Sequence, residues 1–219
     1  MMPLVALLHL CDSLFPMGAF GYSDGLEAAT AAGLIRTPSH LRAWLDVCLE
    51  QSIGRADGPA VLRAWAAFNG RDWPTLVTLD SEARALRPAA GARRASRAMG
   101  VRLATTWQGL YPDPRLDHVI ALAPVLPVAF GCVCASVGVD ARDAAAAFAY
   151  TRLASTVSAA MRAMPIGQTD AHAELATVLR RVPTVVGEMV NRTDLESFSP
   201  AMDIALMAQP YLHSRLFRT

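Results

Sequence analysis

Residues 119 to 139, VIALAPVLPVAFGCVCASVGV, contain no charged side chain. A run of this length and apolarity has to be enclosed, either by lipid or by the rest of the protein. Pro124, Pro127, Gly131 and Gly138 interrupt it, and its flanks carry Asp117 and Asp140 with no arginine cluster nearby. Those features argue against a membrane span. The expectation is a buried core helix, with no membrane as partner.

The remaining periodicity is helical. Thr37-Pro38 supplies a cap and a first turn for a helix reaching Ile53, with Leu41, Leu45 and Cys48 on one stripe and Arg42, Asp46 and Glu50 on another. Asp57 and Pro59 open a second helix bearing Leu62, Trp65 and Phe68, and Gly70 stands at its stop. A third starts at Asp72 and ends by Pro88. From Asp140 to Met164 an alanine-rich segment, with Leu153, Val157 and Ala160 in register, reads as a central helix whose small side chains let neighbours approach. The pattern from Leu175 to Met189 continues through Pro183, which removes a backbone donor and predicts a kink or break near Leu179. No window alternates apolar and polar residues over strand length. The fold class is therefore all-α: residues 1–219 as one compact bundle of about eight to ten helices, from usual helix and loop lengths.

Composition narrows function. Lys+Arg is 20 and Asp+Glu 19, a net charge of +1, so no global field holds a polyanion. All the basic residues are arginine, which excludes a lysine Schiff base and a P-loop lysine. The five histidines are scattered, without H-E-x-x-H or a nucleophile elbow. Cys11, Cys48, Cys132 and Cys134 lie in apolar surroundings, and no signal peptide is evident, so a reducing cytoplasm is expected. On a helix Cys132 and Cys134 point about 200° apart, which favours buried packing over a joint metal site.

Two segments stand out. Six arginines fall between Arg84 and Arg102, a solvated face, a docking surface for an acidic protein, or the reading head of a small all-α nucleic-acid-binding regulator. Leu7 to Glu27, LLHLCDSLFPMGAFGYSDGLE, strings Pro16, Gly18, Gly21 and Gly25 through apolar residues and is poor as plain helix. A turn at Pro16 and Gly18 is expected to place Phe15, Phe20 and Tyr22 outward, with Ser23 capping a helix that begins Asp24-Gly25-Leu26-Glu27.

Leu8 to Glu27 resembles the N-terminal signature of the UreF family of urease accessory proteins, approximately L-x-x-x-D-S-x-x-P-x-G-x-[FY]-x-x-S-x-G-L-E. Here it is carried by Asp12, Ser13, Pro16, Gly18, Phe20, Ser23, Gly25, Leu26 and Glu27. Arg94, Ser96 and Arg102 are similar to the family's central basic helix, Pro165-Ile166-Gly167-Gln168-Thr169 to its P-L-G-Q-T turn, and Ser214-Arg215-Leu216-Phe217-Arg218-Thr219 to its terminal S-R-L-F-R-S. The resemblance spans the chain. It implies a non-enzymatic chaperone, commonly a homodimer, that joins a UreD/UreH-type protein and the UreG GTPase before meeting apo-urease. It further implies no tightly bound cofactor, nickel being handled by the assembled complex. Partner-binding roles are carried over to the N-terminal residues just named and to Gly167, Gln168, Arg215, Leu216, Phe217 and Arg218. The chain departs from the family at Ala208-Gln209-Pro210, where relatives read R-H-E. That departure predicts lost polar contacts, a helix ending early at Pro210, and a tail, 210–219, that serves partners more than folding.

Overall fold

In the computed structural model residues 2–218 are described; Thr219, the last residue of the C-terminal block, lies outside them. The helices are α1 (Pro3–Leu10), α2 (Leu26–Ala31), α3 (Pro38–Val47), α4 (Gly58–Gly70), α5 (Trp73–Ala85), α6 (Ala90–Leu110), α7 (Leu116–Leu122), α8 (Leu126–Ser136), α9 (Ala141–Ala163), α10 (Gln168–Leu179), α11 (Val182–Met189) and α12 (Pro200–Ala208). No strand occurs among the described residues. Short helices near the ends of the chain and the divided apolar run bring the α-helices among the described residues to these twelve.

Local chemistry starts several of them as expected. Thr37 Oγ1 accepts from His40 N at 3.2 Å, Asp72 Oδ1 from Thr75 N at 3.0 Å and Asp140 Oδ1 from Arg142 N at 2.8 Å, each satisfying a donor that an α-helix leaves open. The Pro183 break appears between α10 and α11, at Arg180-Arg181. The two helices expected on either side of residues 53–57 are instead joined. Cys48–Asp57 is π-helical and runs without a gap from α3 into α4, and the wider turn accommodates Pro59, which cannot donate to the carbonyl one α-turn back.

The uncharged run forms the centre, divided at Ala123–Val125 into the end of α7 and the whole of α8. Every residue from Leu126 to Ala135 is buried, with α4, α6 and α9 packed around this one helix. A Cβ on Gly131 would stand 2.4 Å from Val61 O, so the backbones of α8 and α4 meet where only glycine fits. The buried N-terminus of α8 needs acceptors. Asp80 on α5 accepts from Val125 N at 2.7 Å and Ser96 on α6 accepts from Leu126 N at 3.2 Å. Burial raises the Asp80 pKa against its bond from Val125 N and the nearby arginines. Cys132 and Cys134 are fully enclosed, and burial pushes both thiols well up. Among the described residues no helix is long and apolar enough to cross a membrane.

Candidate functional site

The two ends of the chain meet at one seam. Gly25 adopts φ +83° at the N-cap of α2, and a Cβ there would lie 3.1 Å from Leu206 N. Glycine at this position both permits the left-handed turn and lets α2 lie directly against α12. Gly25, rather than the expected Ser23, holds the N-cap position of α2. Ser23 is buried instead, its hydroxyl 3.5 Å from Gln209 Oε1.

At Ala208-Gln209-Pro210, where the departure from R-H-E predicts lost polar contacts, Gln209 makes polar contacts of its own within the chain. It is fully buried in a 3₁₀ turn, Gln209–Tyr211, that follows α12. Its Nε2 donates to Glu27 Oε2, and its Oε1 accepts from Ala28 N at 3.3 Å. The other carboxylate oxygen of Glu27 accepts from Leu216 N at 2.6 Å. Glu27 is thus held between two segments of the C-terminal region, and a short amide side chain satisfies donors and acceptors around it. The helix does end before Pro210.

The tail folds back over the N-terminal turn. Arg218 N donates to Gly21 O at 2.8 Å, and Phe217 is 3% exposed within the main hydrophobic cluster. This corrects the expectation of a tail with little part in the core. Arg162, in the last turn of α9, lies over the Phe20 ring at 3.7 Å and over the Phe217 ring at 4.2 Å, while its Nη2 donates to Phe20 O at 3.0 Å. One guanidinium therefore bridges both motif blocks through their aromatic faces. Desolvation lowers its pKa. Sequence reading missed Arg162 and Gln209; the one signal for Arg162 was its position just ahead of Pro165–Thr169.

Of the aromatic residues expected outward, Phe20 is 66% exposed and Tyr22 is half-buried, but Phe15 is in the core, its ring 5.8 Å from that of Trp107. Asp12 Oδ1 accepts from Leu14 N at 2.8 Å and shapes the turn after α1. Ser13 lies exposed beside it, Pro16 is exposed in the turn between the buried Phe15 and Met17, and Gly18 is left-handed ahead of a 3₁₀ turn, Ala19–Gly21. Leu26 is buried in α2. Asp12, Ser13 and Phe20 border a cleft of about 270 Å³ whose floor includes Phe130 and Phe148 and whose wall includes Arg152. Arg152 pairs with Asp24, and desolvation lowers its pKa to about 10. Gly167 is the N-cap of α10, and with Gln168 it is exposed in the α9–α10 turn, apart from the seam.

Arg215 and Arg218 are exposed and Leu216 is 66% exposed. The segments of the seam also expose Leu14, Ile204, Met207 and Tyr211. What the arrangement offers chemically is an apolar, arginine-rimmed surface fixed by a buried amide and carboxylate, a composition suited to protein contact. Among the described residues no group of three or more His, Cys, Asp or Glu is placed to hold a metal ion.

The family described as UreF matches residues 35–179. The chain is 30% identical over 226 residues to "Urease accessory protein UreF" of Azoarcus sp. (strain BH72), covering 100% of this chain and 97% of that protein. It is 32% identical to the protein of the same description from Azorhizobium caulinodans, with 98% and 95% covered, and 31% identical to that of Methylibium petroleiphilum, with 99% and 94% covered.

Proposed function

The chain belongs to the UreF family of urease accessory proteins, and from that premise we propose that it is a scaffold for nickel insertion into urease. In this reading it is an accessory protein whose work is binding. It joins a UreD/UreH-type protein to the UreG GTPase, acts as a homodimer in the cytoplasm, and helps present nickel, the cargo of the assembly, to apo-urease.

The observation that carries the reading is the seam itself. The Leu8–Glu27 motif and the terminal block lie at opposite ends of the chain, yet Glu27, Gln209 and Arg162 hold them side by side. Their buried members, Gln209, Glu27 and Phe217, fix the surface, and their exposed members, Phe20, Arg215 and Leu216, are free to meet a partner. Large exposed apolar side chains with arginine at the edge are the residue types that dominate interface hot spots. Gly167 and Gln168 add a second exposed turn to the contact residues. Residues 1–219 serve as one domain, because the core cluster runs from Ala6 to Phe217.

The experiment is reconstitution. Urease co-produced with UreD-type and UreG-type proteins is assayed with and without this chain, and the chain is used to retain each protein in a pull-down. Nickel-loaded, active urease only when the chain is present, with retention of the UreD-type protein, is expected. Equal activation without it, or hydrolysis of GTP by the chain alone, would overturn the reading.

A further inference from the structure

The basic stretch of α6 lies outside this account. From Arg84 to Pro112 the sequence has six arginines and no Asp or Glu, in a chain whose net charge is only +1. Two of the six are used internally: Arg87 pairs with Asp57 at 2.5 Å, and Arg93 donates to the backbone oxygens of Arg87 and Pro88 at 2.6 and 2.8 Å. Arg94, Arg97 and Arg102 are exposed on one face of α6 and border a shallow groove of about 590 Å³, which Ala98, Val101 and Thr105 also line. None of the three forms an ion pair among the described residues. Asp80, a carboxylate close enough to feel Arg97, is 5% exposed and committed to Val125 N.

We propose that this face of α6 docks an acidic helical segment of a protein partner. Arg94 to Arg102 spans about 12 Å at 1.5 Å per residue, so a partner helix with carboxylates one and two turns apart meets all three guanidiniums. Each can take a carboxylate through two parallel N–H donors. Alanine, valine and threonine methyls between them leave room for the partner's side-chain stems and exclude water from the pairs. The face also adjoins the seam: a Cβ on Gly18 would lie 3.4 Å from Arg102 Nη1. A segment seated here therefore borders the N-terminal turn.

The same charges do not suit nucleic acid. The groove lining has no aromatic side chain on which a base could stack. Three phosphate contacts give only weak, salt-sensitive binding, and a chain of net charge +1 adds no field to steer a polyanion. The assignment does not depend on the nickel-insertion reading, so the two can fail separately.

The test uses the full chain and two probes, a labelled helical peptide of about 20 residues with glutamate at every fourth position and a labelled single-stranded RNA of about 20 nucleotides. Fluorescence anisotropy is read for the wild type, for R94E/R97E/R102E and for R94K/R97K/R102K, with thermal melts of each. The expected result is peptide binding that weakens with salt, falls at least about tenfold in the glutamate variant, equivalent to about 1.4 kcal/mol, and largely survives in the lysine variant. Similar melts would show that these exposed residues do not hold the fold, and if the glutamate variant melts early, R94Q/R97Q/R102Q takes its place. Absence of peptide binding by the wild type, equal binding by the charge-removed variants, or RNA bound more tightly than the peptide through the same residues would each overturn the proposal.

Discussion

Gln209 Nε2 donates a hydrogen bond to Glu27 Oε2 across 182 residues of sequence, with Gln209 fully buried. The pair ties the 3₁₀ turn that follows α12 to α2 and leaves the opposite oxygen of Glu27 for the backbone of the tail.

Replacing Gln209 with alanine removes the side-chain partner of Glu27 Oε2 and of Ala28 N in a buried site, leaving Glu27 only its bond from Leu216 N. An unsatisfied buried polar group costs about 1–3 kcal/mol, and more when it is charged. Q209A is expected to lose at least that much stability in urea unfolding with an unchanged m-value, whereas Q209E is expected to be worse, since it sets two carboxylates against each other. Wild-type stability in Q209A would show that water replaces the amide.

The tail divides between folding and binding. F217A removes a buried ring and its contact with Arg162, with an expected cost of about 3–5 kcal/mol. L216A changes a side chain that is 66% exposed and should stay within about 0.5 kcal/mol of wild type. In a pull-down with the UreD-type partner the order reverses among folded variants: L216A and R215A weaken retention while their melts stay put. Truncation after His213 is expected to lower both the melt and the binding.

Gly25 carries both a left-handed φ and a close approach to Leu206 N. G25A is expected to cost about 1–3 kcal/mol in backbone strain and to loosen α12. Hydrogen exchange would register this as lost protection across Asp203–Ala208.

Burial raises the pKa of Asp203, which forms no ion pair among the described residues. A carboxyl whose native pKa exceeds its unfolded one contributes stability below the ordinary carboxylate range and loses it as pH rises through the native value. D203N is therefore expected to raise the melting temperature near neutral pH and to remove this downward drift above the ordinary carboxylate range. An unchanged pH profile would place the carboxyl in free solvent.

Thiol reactivity should separate the cysteines. Burial pushes Cys48 up to about 12 and raises Cys132 and Cys134 well above the ordinary thiol range, while the half-buried Cys11 reaches about 11. Alkylation of the native protein near pH 8, followed by mass spectrometry, should modify Cys11 first and leave the others until unfolding.

Helix boundaries were legible wherever one residue supplied the cause. Thr37, Asp72 and Asp140 cap from within a few residues of the backbone they serve, Pro183 breaks a helix by lacking its own donor, and Leu126–Ala135 had to be buried because nothing in it can be solvated. The same local logic failed at residues 48–57, where π-turns kept the chain helical past the expected join, and at the start of α2, where Gly25 and not Ser23 holds the N-cap.

The sequence by itself determined the all-α class, the helix boundaries at Thr37, Asp72, Asp140 and Pro183, the enclosure of residues 126–135 and, through its motif blocks, the family. Only the tertiary structure decided that Glu27 and Gln209 are partners, that Arg162 lies over both Phe20 and Phe217, and that a tail with the look of a free binding segment inserts Phe217 into the core. The physical reason is range. Caps and apolar periodicity act between residues a turn apart and leave a pattern in the order of the chain, whereas a buried amide, carboxylate and guanidinium are matched by packing that brings distant segments together, and no local spacing records which of them will meet.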